Sequence, residues 1–266
     1  QGIYRSVRKD GRMFFAVFSF FIEAGKLFAW AKEHISGRVC RYKNYPRFFD
    51  FCIGLVPFIL LLPLYAAGEL LVYRRVRKLF GARITAAISG GGALPPDVDA
   101  FYRAIGFKLL EGYGITEAGP VLSVRDCIKP RSNCVGIVYP SAQIKIVREK
   151  NGAVVKSDPL GFGKKGLIFA RGDQIMKGYY KRDDLTRTVI DDGLWLNTGD
   201  LGILSFDNEI KIIGRAKDAI VLLGGENVEP SAVEKALCMS RFIETAYVTG
   251  QDQKHLSALI VPDREA

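Results

Sequence analysis

The sequence predicts an α/β protein, because strand, glycine turn, helix and strand follow one another in its middle third. Residues 83–89 (RITAAIS) read as a buried strand that runs into three glycines. Residues 96–105 should be helical, since proline is favoured in the first turn of a helix. A short strand is expected at residues 107–110. This order predicts a parallel sheet whose ligands bind beyond the carboxyl ends of its strands.

The second half of the sequence is richer in short strands and turns. Strands are expected at residues 143–147 and 166–170, and Asp207-Asn208 lies between two apolar runs in the manner of a hairpin turn. Beyond Arg215 the pattern returns to mixed α/β, with a helix expected at residues 230–238 and a strand at residues 257–262.

The first eighty residues are helical in character and contain an uncharged apolar run at residues 51–68. The run is long enough to span a bilayer, although Pro57, Pro63 and the soluble-looking sequence on both sides disfavour a transmembrane helix. A buried helix pair within a large α/β domain is a second interpretation. A peripheral, membrane-touching surface is the third, favoured by Arg74 and Arg75 just beyond the run.

The charge balance favours polyanionic partners without choosing one. Lys and Arg exceed Asp and Glu by 38 − 28 = 10, which suits nucleotide phosphates or an anionic membrane, and which a lysine-rich soluble surface explains as well. Basic residues are dispersed and no recognition motif is visible, so no nucleic-acid partner is predicted. The five cysteines form no C-x-x-C pair, which indicates a reducing, cytoplasmic location rather than a disulfide scaffold.

Two glycine-containing motifs have the residue types that bind a nucleotide. Residues 89–96 (SGGGALPP) would bring backbone N–H groups towards a ligand at the positive end of a helix, although three glycines can equally form a plain turn. Residues 112–120 (GYGITEAGP) hold an aromatic face for a purine, a hydroxyl for phosphate and a carboxylate for Mg²⁺. The alternative for the second motif is a capped loop with Tyr113 in the core.

Two further motifs offer groups for a sugar or a phosphate. In residues 194–202 (LWLNTGDLG), Asp200 is expected in a tight turn after a strand, where it could accept hydrogen bonds from a sugar diol or serve only the turn. In residues 213–234, Arg215 could clamp a ribose or a phosphate. The alternative is a surface salt-bridge cluster of Arg215, Lys217 and Asp218.

In combination, the motifs resemble a known enzyme superfamily. SGGGALPP, GYGITEAGP, QIMKGYY, NTGDLG and GRAKDAIVLLGGENVEPSAVE closely resemble, in this order, the motif series of the adenylate-forming superfamily. The resemblance runs from about residue 70 to the end. Residues 26–32 and 70–81 look more like the long-chain fatty-acid–CoA ligases within that superfamily.

The resemblance implies a domain organisation. Residues 1–216 would be the C-terminal portion of a large adenylation domain, with an α/β part to about residue 130 and a β-barrel part over residues 131–216. A hinge and an incomplete small α+β domain would follow at residues 217–266. The superfamily's phosphate loop and its C-terminal lysine find no counterpart here, so this chain alone is expected to bind nucleotide weakly at best.

The resemblance also implies residue roles in an adenine pocket. Tyr113 would stack on the adenine, and the backbone around Gly91 and Gly92 would line the adenine and acyl pockets. Glu111 would belong to the same pocket, at a position where relatives often carry an amide.

Around the phosphates and ribose, Thr116 would touch the α-phosphate and Glu117 would bind Mg²⁺. Asp200 would hold the ribose hydroxyls with Arg215 beside it, and Lys217 would be the hinge between the domains.

The implied reaction uses ATP, a long-chain fatty acid and CoA. The carboxylate attacks the α-phosphate to give acyl-AMP and pyrophosphate, and the CoA thiol then attacks the acyl-AMP. Catalysis would rest on positioning and charge neutralisation, without a protein nucleophile. Two alternatives are an adenylation domain that passes an aryl or amino acid to a carrier protein, and a non-catalytic membrane-associated relative.

Overall fold

A computed structural model describes residues 2–9, 11–81, 83–150, 153–240 and 242–263. The chain divides into two compact units. The first takes the described residues of 1–40, 44–111 and 125–133, and the second those of 41–43, 112–124 and 134–266.

The first unit is mainly helical and packs around an aromatic core. Tyr73 is fully buried, donates a hydrogen bond from its hydroxyl to the carbonyl of Phe21 at 2.6 Å and lies against Gly68, where a Cβ would come within 2.6 Å of the Tyr73 ring. A short π-helical stretch, Glu69–Tyr73, carries this tyrosine. The helices are α1 (Gly2–Lys9), α2 (Arg12–Ile35), α3 (Phe48–Gly68), α4 (Arg74–Leu79) and α5 (Pro96–Ala104).

Helices α2 and α3 pack together, but α3 turns most of its surface outward. At the contact, a Cβ on Gly54 would lie 2.6 Å from the carbonyl oxygen of Ala31, so the backbones approach closely. Only Asp50, Gly54 and Gly68 of α3 are buried. Most of the α3 surface is therefore exposed in this chain, and the buried helix pair within a larger α/β domain stays a prediction. Two helical segments, 12–35 and 48–79, are apolar and long enough to cross a membrane by length and composition alone.

The expected parallel strand pair is present in the first unit and is shorter than predicted. Strand β1 (Ala87–Ser89) pairs in parallel with the beginning of β2 (Leu109–Gly114), and α5 connects them. The predicted helix 96–105 is confirmed to within a residue. The second strand begins later than expected and continues through Gly112 and Gly114, because these residues pair with a further strand.

The second unit is built on antiparallel sheets, as the strand-rich sequence predicts. The end of β2 pairs with β3 (Val121–Val124), and β3 pairs with β4 (Ile137–Val138). A bridge between Ile137 and Glu209 ties β4 to the next sheet. That sheet has five strands in the order β6-β5-β7-β8-β9, namely β5 (Ala142–Lys150), β6 (Ala153–Pro159), β7 (Lys165–Gly172), β8 (Leu196–Leu204) and β9 (Ile210–Arg215).

The core of the second unit lies against this five-stranded sheet. Ile146, Ile168, Leu196 and Ile210 are almost fully buried in one cluster. The predicted hairpin is confirmed: β8 and β9 are antiparallel, and Asn208 adopts the left-handed conformation, φ 59°, in the turn between them. Helix α6 (Asp183–Val189) lies in the connection between β7 and β8.

The chain ends in small elements with the predicted helix and strand. The predicted helix 230–238 is α7 (Pro230–Leu237), and the predicted strand 257–262 is β13 (Ser257–Pro262). Strand β13 pairs antiparallel with β12 (Ile243–Thr249). A short ribbon of β10 (Ile220–Val221) and β11 (Asn227–Val228) precedes them.

Candidate nucleotide site

The residues predicted to bind the nucleotide divide between the two units. Gly91, Gly92 and Glu111 lie in the first unit, and the other predicted residues lie in the second. Each group has its own local geometry.

The glycine loop of the first unit connects β1 to α5 with exposed backbone. Gly91 has φ 81°, a left-handed conformation that favours glycine, and a Cβ on Gly92 would meet no atom within 4 Å. Pro96 occupies the first turn of α5, as the sequence predicts. The loop therefore leaves open space beside its backbone, which suits the approach of a ligand.

Glu111 is held by the protein's own groups. Its side chain is largely buried; Oε1 accepts a hydrogen bond from the backbone N–H of Leu94 at 3.0 Å, and Oε2 accepts one from Arg125 Nη2 at 2.9 Å. Both carboxylate oxygens are thus engaged by protein donors. A direct contact between this side chain and adenine stays a prediction from the family resemblance.

In the second unit, Asp200 is the centre of a three-residue cluster. Tyr113 Oη donates to Asp200 Oδ2 at 2.7 Å, and Arg215 Nε donates to Oδ1 at 3.2 Å. Asp200 is buried, whereas the Arg215 side chain is 65% exposed. The cluster unites the motifs at residues 112–120, 194–202 and 213–234, the first of which is distant from the other two along the chain.

The predicted tight turn at Asp200 takes the form of an irregularity within a strand. Asp200 lies within β8, directly opposite Arg215 in the antiparallel register with β9. Strands β7 and β9 pair with β8 on its two edges, but the pairing with β7 is irregular here: Leu167 pairs with Leu201 and Phe169 pairs with Asn197. Pairing with β9 brings the aspartate and the arginine together, and just before Asp200 the chain bends at Gly199, φ 73°, whose N–H donates to Asn197 Oδ1 at 3.0 Å.

Burial sets the ionisation of this cluster. Burial raises the pKa of the Asp200 carboxyl above its ordinary value, while hydrogen bonds from Tyr113 and the positive charge of Arg215 act in the opposite direction. Burial, and then the nearby Asp200, raise the pKa of Tyr113 far above that of a free tyrosine. Tyr113 therefore acts as a neutral hydrogen-bond donor.

Tyr113 also takes part in the core of the second unit. The residue is 9% exposed and clusters with Ala118 and Leu122. This packing agrees with the alternative interpretation of the motif, in which Tyr113 is a core residue. The stacking of Tyr113 on adenine stays a prediction.

Thr116 and Glu117 form a single turn of 3₁₀-helix directly after β2. Tyr179 Oη donates to Glu117 Oε1 at 2.9 Å, and the backbone N–H of Met176 donates to the carbonyl of Glu117 at 2.8 Å. The hydrogen bond to Glu117 raises the pKa of Tyr179. Sequence reasoning gave Tyr179 no role, although it lies in the QIMKGYY motif.

Gln174, from the same motif, braces the turn. Its Nε2 donates to the carbonyls of Ala118 and Val121 at 2.9 and 2.7 Å, while its Oε1 accepts from Ser141 Oγ at 2.7 Å. The backbone on both sides of the Thr116–Ala118 turn is therefore held by one amide side chain.

The chemistry of Glu117 fits a magnesium ligand. In the described part of the chain its Oε2 accepts no hydrogen bond, and the side chain is half-buried. Mg²⁺ prefers one or two carboxylates together with substrate phosphates and water. A carboxylate with one oxygen oriented by a tyrosine and the other available suits that mode of binding.

Lys217 is exposed in the turn that follows β9. It lines a cavity of about 340 Å³ together with residues of β7, β8 and the β10–β11 ribbon, among them Lys165, Leu201, Asn227 and Glu229. Lys165 Nζ donates to Glu229 Oε1 at 2.8 Å. Lys217 thus stands between the five-stranded sheet and the C-terminal elements of the same unit.

This fold and these residues define a class: a mixed α/β protein with an acidic and aromatic site of the kind that holds a nucleotide. Comparison with protein families makes the class specific. The family model described as AMP-binding enzyme matches residues 43–180, and that of the AMP-binding enzyme C-terminal domain matches residues 217–266. The chain belongs to the AMP-binding enzyme family, and its similarity to acyl-CoA ligases agrees with the motif series.

Individual relatives cover most of this chain. A long-chain-fatty-acid–[acyl-carrier-protein] ligase, AEE15, of Arabidopsis thaliana is 39% identical over 228 residues, which are 82% of this chain and 30% of that protein. The long-chain-fatty-acid–CoA ligase FadD15 of Mycobacterium tuberculosis is 34% identical over 212 residues, 79% of this chain and 32% of that protein. The chain thus spans about a third of these relatives.

Solved structures show the same fold. The o-succinylbenzoate CoA synthetase of Bacillus subtilis, in complex with its acyl-adenylate intermediate, matches with a TM-score of 0.60 and 26% identity. The match covers 72% of this chain and 40% of that protein. The predicted α/β adenylation fold is confirmed.

Proposed function

We propose that this chain is part of an ATP-dependent ligase that activates a long-chain fatty acid as an acyl-AMP. The observation that carries the proposal is the Asp200 cluster. It offers a buried carboxylate, fixed by Tyr113 and Arg215, that can accept hydrogen bonds from a ribose diol. Two relatives whose alignments cover 82% and 79% of this chain are described as long-chain-fatty-acid ligases, which supports a long-chain fatty acid as the substrate.

The residues of this chain serve the reaction by positioning and by charge. Asp200 holds the ribose, Arg215 adds a positive charge at the exposed edge of the cluster, and Thr116 donates to the α-phosphate. Glu117, oriented by Tyr179, would hold a Mg²⁺ ion that neutralises phosphate charge during attack by the fatty carboxylate. The fixed geometry lowers the entropic cost of bringing the two anions together.

The proposed acceptor of the acyl group is CoA. The resemblance to CoA ligases supports this acceptor, and FadD15 bears that description. A second candidate is the acyl carrier protein, which the description of the 39% identical relative favours. Both acceptors attack the same acyl-AMP with a thiol, so the first half-reaction is common to them.

The test is fatty-acid-dependent exchange between ATP and labelled pyrophosphate, measured on the full-length protein with palmitate. Exchange is expected in the wild type, and Glu117→Ala should reduce it roughly a hundredfold, since an electrostatic contact in the transition state is removed. Glu244→Ala, which removes an exposed carboxylate from β12, should leave the rate unchanged.

No exchange with any carboxylic acid, in protein shown to be folded, would contradict the proposed function. A second assay then identifies the acceptor. It measures thioester formation in parallel reactions that contain either CoA or acyl carrier protein. A product with the carrier protein alone would overturn the proposal that CoA is the acceptor.

We also propose that α3 touches the surface of an anionic membrane on its cytoplasmic side. Large apolar residues of α3 are exposed, among them Val56, Ile59 and Leu60 at 61%, 59% and 70%. Exposed Arg74 and Arg75 follow at the beginning of α4. Apolar insertion beside basic side chains is the pattern of peripheral binding to acidic lipids.

Sedimentation of the full-length protein with vesicles tests this contact. Binding is expected to vesicles that contain phosphatidylserine, and to fall about thirtyfold or more when Arg74→Glu and Arg75→Glu are combined, since each cation contributes about 1 kcal/mol near such a surface. Lys181→Glu with Lys254→Glu makes the same charge change at exposed sites in the second unit. Equal binding of both double variants, or no binding of the wild type, would contradict the proposal.

A further inference from the structure

Arg125 is the most deeply buried ion-paired cation of the first unit in the described part of the chain. Its side chain is 3% exposed. Nη1 donates to Asp99 Oδ1 at 2.8 Å, and Nη2 donates to Glu111 Oε2 at 2.9 Å. Its backbone N–H also donates to the carbonyl of Glu111 at 3.0 Å. One guanidinium therefore fixes two carboxylates that belong to different elements.

The two carboxylates are at the two ends of the glycine loop. Asp99 lies in the first turn of α5, which follows the loop, and Glu111 lies in β2, the strand beside the one that precedes it. Glu111 Oε1 then reaches into the loop and accepts the N–H of Leu94 at 3.0 Å. Arg125 thus contacts α5 on one side and Glu111 on the other, and Glu111 in turn contacts the glycine loop.

The positions of the Asp99 and Glu111 side chains depend on the positive charge of Arg125. A buried carboxylate needs a paired cation or several hydrogen-bond donors, because removal from water is costly. Asp99 and Glu111 are both buried and share the Arg125 guanidinium. Without the guanidinium, Glu111 would move towards water or take up a proton, and the Leu94 N–H would lose its fixed acceptor.

We propose that Arg125 is a positioning residue for the nucleotide, acting through Glu111 to set the path of the glycine loop at residues 89–96. The proposal rests on the proposed function and on the family resemblance, which implies that this loop lines the adenine and acyl pockets. Arg125 itself touches no substrate. Its contribution is to keep the loop in the conformation that leaves the backbone of Gly91 and Gly92 open.

The experiment compares Arg125→Gln with Arg103→Gln in the full-length protein. Arg103 is the matched control because it also pairs with Asp99. Its Nη1 donates to Glu33 Oε2 at 2.5 Å and its Nε lies 3.5 Å from Asp99 Oδ2, but it has no contact with Glu111. Arg125→Gln should raise the KM for ATP in pyrophosphate exchange about tenfold or more, as expected for loss of a charged hydrogen bond. The kcat should stay within about threefold, because Arg125 does not contact the reacting groups.

Two further variants test the route through Glu111. Glu111→Gln added to Arg125→Gln should restore part of the ATP affinity, because a neutral amide keeps a carbonyl for Leu94 and leaves no unpaired charge. Arg125→Lys should be intermediate, since an ammonium cannot bridge both carboxylates as a planar guanidinium does. An unchanged KM for ATP in Arg125→Gln, or no rescue by Glu111→Gln, would overturn the proposal.

Hydrogen–deuterium exchange of the Leu94 amide separates this proposal from the proposed function. Arg125→Gln should speed exchange at this amide about tenfold while Arg103→Gln leaves it unchanged, with or without nucleotide. If the wild type shows no pyrophosphate exchange, the proposed function fails and the Leu94 amide alone decides whether Arg125 fixes the loop. If the Leu94 amide exchanged at the same rate in both variants, Arg125 would contribute only to the stability of the protein and the proposal would be overturned.

Discussion

Asp200 shows how a buried carboxylate can be kept ready for a ligand. Tyr113 and Arg215 each donate to a different oxygen, and the backbone N–H of Asp200 is itself held by Thr198 Oγ1 at 3.2 Å. The burial that raises the Asp200 pKa is thus partly offset by two donors. The side chain stays oriented while Arg215 remains exposed.

At the residue scale, we expect nucleotide affinity to depend on the protonation of Asp200. As the pH falls through the raised pKa of this carboxyl, protonation removes an acceptor for the ribose, so the Kd for AMP should rise as the pH falls. Asp200→Asn should raise the Kd at neutral pH about tenfold and abolish its pH dependence in this range. Calorimetric titration of the full-length protein at several pH values measures both effects.

The same pKa shift makes a prediction about stability. The folded carboxyl takes up its proton at a higher pH than the unfolded one, whose ordinary value is 3.8. Ionised Asp200 therefore costs folding free energy above the folded pKa, and this cost disappears as the pH falls through it. Subtracting the denaturant-derived stability curve of Asp200→Asn from that of the wild type should show this slope; a slope of opposite sign would contradict the assignment.

At the scale of elements, the join between β2 and β3 depends on a close backbone approach. A Cβ at Gly114 would lie 1.7 Å from the carbonyl oxygen of Pro120 and 2.7 Å from its carbonyl carbon. Between these residues lies the 3₁₀ turn that carries Thr116 and Glu117. The glycine therefore allows the chain to fold back with the turn at its tip.

Gly114→Ala should accordingly destabilise the full-length protein by about 2–3 kcal/mol, as overpacking against rigid backbone does. Urea unfolding is the measurement. Gly92→Ala is the matched control, since a Cβ there meets no atom within 4 Å and should change stability by no more than about 0.5 kcal/mol. Similar losses of stability in the two variants would contradict the prediction, because they would show that the backbone at Pro120 can move to accommodate a Cβ at Gly114.

On the scale of the whole molecule, Lys217 stands where the five-stranded sheet ends and the C-terminal elements begin. It lies in the turn after β9, before the β10–β11 ribbon. The family resemblance implies a hinge at this position, about which the C-terminal domain rotates between half-reactions. A hinge needs a residue whose backbone can change conformation without disturbing a packed core, and Lys217 is exposed.

Lys217→Ala should separate the two half-reactions in the full-length protein. Pyrophosphate exchange should stay within about threefold of the wild type, while thioester formation from acyl-AMP should slow about tenfold or more, because the proposed rotation precedes the second step. Single-turnover assays of each step provide the rates. Lys254→Ala, at another exposed lysine, should change neither, and equal slowing of both steps by Lys217→Ala would remove the hinge assignment.

The sequence by itself determined the elements that carry strong local signals, and the family. Pro96 and Pro230 mark the starts of α5 and α7, and Asp207-Asn208 marks the β8–β9 hairpin. Local signals work here because proline and turn residues restrict the backbone whatever surrounds them. The ordered motif series likewise led to the AMP-binding family, which the match over residues 43–180 confirms.

Only the tertiary structure decided which side chains meet. Asp200 lies opposite Arg215 because β8 pairs with β9, and it accepts a hydrogen bond from Tyr113, which is 87 positions away in the sequence. The contacts of Arg125 with Glu111 and of Tyr179 with Glu117 could not be predicted either, because no local sequence pattern identifies these partners. Hydrogen bonds and ion pairs depend on distances of a few ångströms, and long-range strand pairing sets those distances.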